Sequence, residues 1–483
     1  MTPEEFRAAG HQLIDWIADY RSNLDDLPVR SAVGPGEVAA TMPSAPPSEP
    51  AEFLALLAEV DRVVVPGMTT VQHPMHYGWF PSNASLASVL GDLASSGLGG
   101  LGISWESCPA LTEVEEVVCD WMRQLTGLSE AWSGTIHDTA STACLVALLA
   151  ARERATDHSQ VRDGLGGHAL APVVYTTEQA HSSVRKAALL AGYGAANLVV
   201  VAHDPETFAM DASALAAAMA SDVSAGRAPA AVIATIGTTG TTAIDPVPEI
   251  VEIASHHNAW VHVDAAMAGS AMLLPEQRHL FVGIEGADSL SWNPHKWMGT
   301  ILDTSLFYVR DVEHLVRVMS TNPSYLRSSH DDEVTQYRDW GVPLGRRFRA
   351  LKLWFHLALD GLEAIQIRLR RDLDNAQWLR HAVESAADWE VVAPVPLQTV
   401  CVRHRPDGLS DEALDDHNRA WVEQLNRSGL AFLTPAVIDD RWIVRVSVGV
   451  EGTERRHVER LWELMQTTAA HAELADPRAS GNG

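Results

Sequence analysis

Trp260-Val261-His262-Val263-Asp264-Ala265-Ala266 is a short apolar run that holds one imidazole and closes on a carboxylate and two alanines. Its apolar residues do not alternate with polar ones, so it reads as a strand buried on both faces. Val173-Val174-Tyr175, Leu198-Val199-Val200-Val201 and Ala231-Val232-Ile233-Ala234-Thr235-Ile236 read the same way, and helical segments separate them. Continuous apolar strands alternating with helices predict an α/β domain with a mostly parallel sheet covered on both faces. In such a sheet, a carboxylate at the carboxyl end of a buried strand stands where ligands bind. Taken alone, Asp264 reads equally well as a helix N-cap.

Outward from this centre the pattern changes twice. Residues 5–20 carry apolar groups at helical spacing, Leu27 to Pro50 is a Pro/Ser/Ala/Gly-rich extended stretch, and an apolar helix at 52–64 ends before Pro66-Gly67. Beyond one long helix near 348–387, strands at Thr399-Val400-Cys401-Val402 and Trp442-Ile443-Val444-Arg445-Val446 are flanked by helices at 410–427 and 453–469. That is a smaller α+β domain. No internal repeat is visible, and the tail after Ala475 reads as frayed.

Composition narrows the function classes. A length of 483 residues exceeds one small core, and a formal net charge of -27 makes nucleic acid and anionic membrane surfaces poor partners. Cys108, Cys119, Cys144 and Cys401 lie far apart with no metal-ligand spacing, which predicts no metal and fits a reducing cytoplasm. The N-terminus lacks a signal-peptide core, and no apolar run approaches the roughly 20 residues of a membrane helix. No GxGxxG or Walker-type loop supports a nucleotide-binding reading.

Only three of the 35 basic residues are lysines, Lys186, Lys296 and Lys352. Where charge alone is wanted this chain uses arginine, so a surviving lysine points to a need for a primary amine; the alternative is chance retention on a helix surface. Lys296 sits in Ser291-Trp292-Asn293-Pro294-His295-Lys296-Trp297, between His295 and two tryptophans, where partial desolvation favours a neutral amine able to condense with an aldehyde. Gly134-Thr135-Ile136-His137-Asp138-Thr139-Ala140-Ser141 runs into an Ala/Leu-rich helix whose start offers hydroxyls and N–H groups to a phosphate, though Ser141 reads as readily as a plain N-cap. His181 follows a strand and is placed to stack on a ring, while a lone histidine is more often structural. An amine, a carboxylate, a phosphate cradle and an imidazole together fit one cofactor, pyridoxal 5'-phosphate (PLP), whose ring nitrogen needs a carboxylate such as Asp264 to stay protonated.

The chain resembles the group II PLP-dependent amino acid decarboxylases, specifically the aromatic-L-amino-acid decarboxylase branch. The resemblance is carried by Asn293-Pro294-His295-Lys296-Trp297 and by Val261-His262-Val263-Asp264-Ala265-Ala266 with Ala268-Gly269-Ser270. It extends to Tyr77-Gly78-Trp79-Phe80-Pro81, to Ser104-Trp105-Glu106-Ser107-Cys108-Pro109-Ala110, and to Pro343-Leu344-Gly345-Arg346-Arg347-Phe348-Arg349. The resemblance implies a fold type I PLP-dependent transferase domain over 86–355, an N-terminal helical arm over 1–85 that wraps a partner subunit, and a C-terminal α+β domain over 356–483. It also implies a cytoplasmic homodimer with active sites at the interface.

The same resemblance assigns roles. Lys296 carries the cofactor, Asp264 pairs with the ring nitrogen, His181 stacks on the ring, and Ala266 packs on its opposite face. Thr139, Ala140, Ser141 and Asn293 hold the phosphate with His295 beside it, and Thr239 supports the cofactor and His181. Tyr325 matches the loop tyrosine that returns a proton to the substrate carbon; relatives with phenylalanine there tend to be aldehyde synthases. Trp79, Phe80, Pro81, Ser82, Leu101, Ile103 and Gly345 line the substrate pocket, with Leu101 and Ile103 coming from the partner. The implied reaction is decarboxylation of an aromatic L-amino acid, tryptophan-like or broad over Trp, Phe, Tyr and DOPA. The alternatives are an aromatic aldehyde synthase or a decarboxylase of histidine or a non-aromatic substrate. An aminotransferase using Arg445 to grip the substrate carboxylate is a further rival. Asp138, Trp79 and Met267 depart from the family pattern; Asp138 is expected to turn from the phosphate or cap the helix, and the other two leave the pocket shape open.

Overall fold

A computed structural model describes residues 1–164, 171–321, 330, 331 and 333–474. The chain forms two compact units: Met1–Pro81 with Asp374–Val392 and Val400–Gly483, and Ser82–Leu373 with Ala393–Thr399. The segment expected as an arm thus falls, up to Pro81, in the same unit as the C-terminal sheet.

The larger unit is built on seven strands: β1 (Ser133–His137), β2 (Ala171–Thr177), β3 (Leu198–Val201), β4 (Arg227–Thr235), β5 (Trp260–Asp264), β6 (Ser289–Trp292) and β7 (Ser305–Val309). Their order is β1-β7-β6-β5-β4-β2-β3. The β3, β2, β4, β5 and β6 neighbours are parallel, and β7 runs antiparallel to both β6 and β1. The mostly parallel sheet expected from the sequence is present.

Register sets the site. Ile233, His262 and Ser289 lie side by side across β4, β5 and β6, and Thr235, Asp264 and Ser291 form the next row toward the carboxyl ends. The helix Ala140–Ala155 packs against this sheet through Ala143, Cys144, Val146, Ala147, Leu148, Ala150 and Ala151, all buried. Small side chains around most of its circumference are what let a helix sit so close to a sheet.

The smaller unit holds β8 (Trp389–Val391), β9 (Thr399–His404, whose first residue belongs to the larger unit), β10 (Thr434–Ile438) and β11 (Arg441–Ser447), in the order β10-β11-β9-β8. Helices Asp411–Ser428 and Arg455–Leu474 flank them. The N-terminal helix Pro3–Ser22 starts on a capping box in which Thr2 and Glu5 exchange hydrogen bonds of 3.1 and 2.6 Å. Two expectations need correction. The long helix near 348–387 is two helices, Ala350–Leu359 and Leu362–Glu384, broken at Gly361, whose φ of +78° an L-residue seldom adopts. The helix at 52–64 is α-helical only over Phe53–Glu59, then widens to a π turn over Val60–Val64.

Candidate active site

The carboxyl ends of β5 and β6, the start of the helix Ala140–Ala155 and the start of the helix Ser182–Leu190 converge. His181 caps the latter: its Nδ1 accepts the Ser183 N–H at 3.2 Å and lies 2.8 Å from the Ser183 hydroxyl. Partial withdrawal from water, with the Lys296 ammonium close by, holds this imidazole below its ordinary pKa, and the Asp264 carboxylate pulls the other way. One ring therefore feels both the amine and the acid, although 83 and 32 residues separate His181 from Asp264 and Asp264 from Lys296 in the chain.

Asp264 is 5% exposed. Its Oδ1 accepts the Ala266 N–H at 3.0 Å, and among the described residues Oδ2 has no hydrogen-bond partner. Ala266 O in turn accepts the Asn293 N–H at 2.9 Å, which ties the turn after β5 to the turn after β6. Cys144 is buried one turn into the adjoining helix; burial and the Asp264 charge both raise its thiol pKa.

Lys296 is partly buried, and its backbone is clamped. Its N–H donates to Asn293 O at 3.0 Å, and its carbonyl accepts from Asn83 Nδ2 at 3.3 Å. Trp297 Nε1 donates to the buried Asp372 at 3.0 Å, and Arg368 Nη2 donates to the carbonyls of Trp297, at 2.8 Å, and Met298. Trp292 and Trp297 are both fully buried, so the flanking tryptophans fix the turn from within the core. His295 is buried, and its Nδ1 accepts the Thr304 N–H at 3.0 Å. Burial and then the Lys296 charge push it down to about 4, so it is neutral at neutral pH. Asn293 Oδ1 is buried with no partner among the described residues.

Thr139 is the N-cap of the helix Ala140–Ala155, with its hydroxyl 3.5 Å from the Thr142 N–H. Asp138 turns back as expected, its Oδ1 accepting the Thr139 N–H at 2.8 Å. The N–H groups of Ala140 and Ser141 have no partner among the described residues, as expected of a first helical turn. Thr239 lies half-buried in the turn after β4, whose neighbours Thr238 and Thr241 share a 3.1 Å hydrogen bond.

The residues expected to line a substrate pocket fall in both units, and each is described within its own. In the smaller one, Trp79 is half exposed at φ +52°, its ring 5.1 Å from that of Phe432, while Pro81 is buried. Arg445 lies 5.0 Å over the Phe80 ring and donates to Trp79 O at 3.4 Å, so the guanidinium holds this segment. In the larger unit Ser82 and Ile103 are half-buried, and Leu101 and Gly345 are exposed. Met267 is fully buried against the Gly237 turn and does not face open space. Tyr325 lies outside the described residues.

The lysine argument holds only in part. Lys186 is exposed on its helix, and Lys352 is 1% exposed with Nζ 3.2 Å from Asp92 and 3.3 Å from Asp303. Lys352 is kept for a buried ion pair, not for a reactive amine. Sequence reasoning missed the clamp on residues 296–299, because nothing in the spacing of Arg368 and Asp372 points to a turn some seventy residues away.

The residues at positions 35–405 match the pyridoxal-dependent decarboxylase conserved domain. The chain belongs to the pyridoxal-dependent decarboxylase family. This decarboxylase is 37% identical over 479 residues to tryptophan decarboxylase 2 of Oryza sativa subsp. japonica, covering 97% of this chain and 95% of that one. It is also 37% identical over 481 residues to phenylacetaldehyde synthase of Arabidopsis thaliana, covering 98% and 97%. A crystal structure of Oryza sativa TDC with PLP and tryptamine superposes with a TM-score of 0.94 at 37% identity, covering 98% of this chain and 99% of that one. The enzyme is thus a PLP-dependent carboxy-lyase. The residues present suit that cofactor: an amine, a carboxylate oxygen without a partner among the described residues, and N–H groups at a helix start that have none there either. No described helix is long and apolar enough to cross a membrane, and no group of three or more potential metal ligands occurs among the described residues.

Proposed function

We propose that this decarboxylase converts an aromatic L-amino acid, tryptophan-like or broad over Trp, Phe, Tyr and DOPA, to the corresponding amine and CO2. The convergence of Lys296, Asp264 and His181 on one imidazole's surroundings carries the reading. When bound, PLP supplies an aldehyde for the amine and a ring that accepts the electron pair left by the departing carboxylate.

The chain's residues do the rest. Lys296 Nζ would hold the cofactor covalently. Asp264 Oδ2 would keep a proton on its ring nitrogen, and His181 and Ala266 would pack against its ring. Thr139, Ala140, Ser141, Asn293 and His295 fix the phosphate at a helix start, where the aligned peptide dipoles favour an anion. Thr239 braces His181. Trp79, Phe80, Pro81, Ser82, Leu101, Ile103 and Gly345 would take the aromatic side chain of the substrate. Each turnover consumes one proton at Cα, and Tyr325 delivers it. A phenolic donor at this position favours simple decarboxylation over the oxygen-consuming chemistry of an aldehyde synthase.

We further propose a homodimer whose 1–85 segment contributes to the interface. The support is exposed apolar side chains: Phe6, Leu54 and Leu56 within that segment, and Leu86, Leu90 and Leu93 on one face of the helix Leu86–Leu98 that follows it. Four cysteines, none of them in a disulfide, are consistent with a cytoplasmic site.

Two measurements test the reading. Borohydride reduction and peptide mapping should place the pyridoxyl group on Lys296 alone of the three lysines. Mass spectrometry of products from an amino-acid panel under air should show aromatic amines without hydrogen peroxide. Label on Lys186 or Lys352, or faster turnover of histidine or glutamate than of every aromatic substrate, would refute it; aldehyde with peroxide would make it a synthase.

A further inference from the structure

His262 lies two residues before Asp264 on the same face of β5, fully buried, and no step above uses it. Its Nδ1 is 2.8 Å from Ser289 Oγ, and its Nε2 is 3.4 Å from Ser291 Oγ. Ser289 Oγ also accepts from Trp260 Nε1, a group that can only donate, at 2.7 Å. Ser289 can donate its hydroxyl to Nδ1 while accepting from Trp260, and in that arrangement the ring proton is on Nε2, aimed at Ser291. Burial holds this imidazole down to about 4, so it is neutral at neutral pH.

The imidazole therefore lies along the strand direction, from the Ser289 row toward the row that holds Ser291 and Asp264. The end bearing the Nε2 proton is the positive end of its dipole. Beside it is the Phe307 ring, 6.3 Å away, which cannot solvate a carboxylate.

We propose that His262 is a positioning residue for Asp264: pinned by Ser289 and Ser291, its neutral ring carries its proton on Nε2 and turns that positive dipole end toward the row of the sheet that holds the Asp264 carboxylate. This rests on the reading of Asp264 as partner of the ring nitrogen. A carboxylate supported in this way binds a protonated ring nitrogen more tightly, and gains nothing against a ring without one.

The test compares affinities of the apo-enzyme for PLP and for the analogue in which CH replaces the ring nitrogen, read by quenching of protein fluorescence. The wild type should prefer PLP. His262→Phe should lower that preference roughly three- to tenfold by weakening PLP binding, with the analogue's affinity unchanged. His262→Gln, which retains an N–H donor on the Nε2 side, should keep most of it, and His262→Asn, which offers groups only on the Ser289 side, should not. The Gln/Asn pair decides the matter should the phenylalanine variant fail to fold. Equal weakening of both ligands, or no change in either, overturns the inference and makes His262 a packing residue. Asp264→Ala separates the two readings: if it abolishes the preference while His262→Phe leaves it intact, only the role of His262 fails. If the wild type shows no preference, the assignment of Asp264 fails and takes this inference with it.

Discussion

Replacing Glu115 with glutamine measures one buried charge almost in isolation. Glu115 is 1% exposed on the helix Pro109–Thr126. Its Oε1 accepts from Thr135 Oγ1 at 2.9 Å, from the Ile136 N–H at 2.8 Å and from Arg346 Nη2 at 2.5 Å, while Oε2 has no partner. A glutamine carbonyl keeps all three bonds, and its NH2 group falls where the partnerless oxygen was. Arg346 would then retain a buried charge facing only neutral groups: the Thr135 hydroxyl and the Ile136 carbonyl, each at 3.1 Å, and the Tyr337 ring at 4.8 Å. Unit charges about 4 Å apart at an effective dielectric of about 20 interact by about 4 kcal/mol. Breaking a buried pair costs about 3–5 kcal/mol, in agreement. At about 2.1 cal/mol/K per residue, a unit of roughly 300 residues has an unfolding entropy near 0.6 kcal/mol/K, so Glu115→Gln should lower Tm by about 6 °C.

Scanning calorimetry at one fixed scan rate reads that shift, and the double variant with Arg346→Met supplies the control. Removing both charges should cost less than the sum of the single changes by about 2 kcal/mol, because the second substitution deletes the charge that the first left stranded. A Glu115→Gln enzyme that melts within about 1 °C of the wild type would refute the reasoning, and the pair would then be solvated by water within the cavity lined by Thr135, His137, Arg346 and Arg349.

Three further outcomes follow from the packing and titration of the same unit. A Cβ on Gly269 would overlap the indole of buried Trp292, the residue before Asn293, so Gly269→Ala should cost about 1–3 kcal/mol and weaken PLP retention, read by calorimetry and cofactor absorbance. A Cβ on Gly345 would meet nothing within 4 Å, so Gly345→Ser should leave Tm unchanged while lowering the kcat/KM ratio of tryptophan to tyrosine in a competition assay. Burial pushes Asp245 up to about 6, even though it accepts N–H groups from Met210 and Thr235 at 2.7 Å each. Because its folded pKa lies above the unfolded value of about 3.9, its contribution is fully present below that value and is lost as pH rises through about 6. The wild type should therefore gain about 1.4 kcal/mol on Asp245→Asn between pH 7.5 and pH 5, a trend that paired melting curves would detect. A flat difference would refute it.

The legible parts of the fold were those set by local chemistry. Leu198–Val201 is apolar throughout and forms β3 over the residues expected, and the strand ending at Asp264 is equally plain because its burial on both faces leaves no alternation to confuse. β6 was expected only as a short strand ahead of the lysine motif, and β1 and β7 were not foreseen. Ser133-Gly134-Thr135 carries hydroxyls and a glycine that look like turn chemistry, and only the sheet around them makes these residues interior. The break at Gly361 was hidden because both flanking helices keep an apolar face, so the pattern runs on where the backbone does not.

The site divides along the same line. Lys296 and Asp264 stand in short motifs whose chemistry is self-evident, whereas their supports come from residues remote in sequence whose types are ordinary. Arginine and aspartate on a helix usually mark a solvated face, yet Arg368 and Asp372 point inward and hold the turn at residues 297 and 298. Lys352 shows the converse, since a rare residue type invited a chemical role and burial against Asp92 and Asp303 gave it a structural one. Rarity in composition identifies a residue that cannot be freely exchanged, but not the reason. The reason lies in what surrounds the amine: two carboxylates that pair with Lys352, or, for Lys296, a neutral imidazole beside it and an acid on the neighbouring strand.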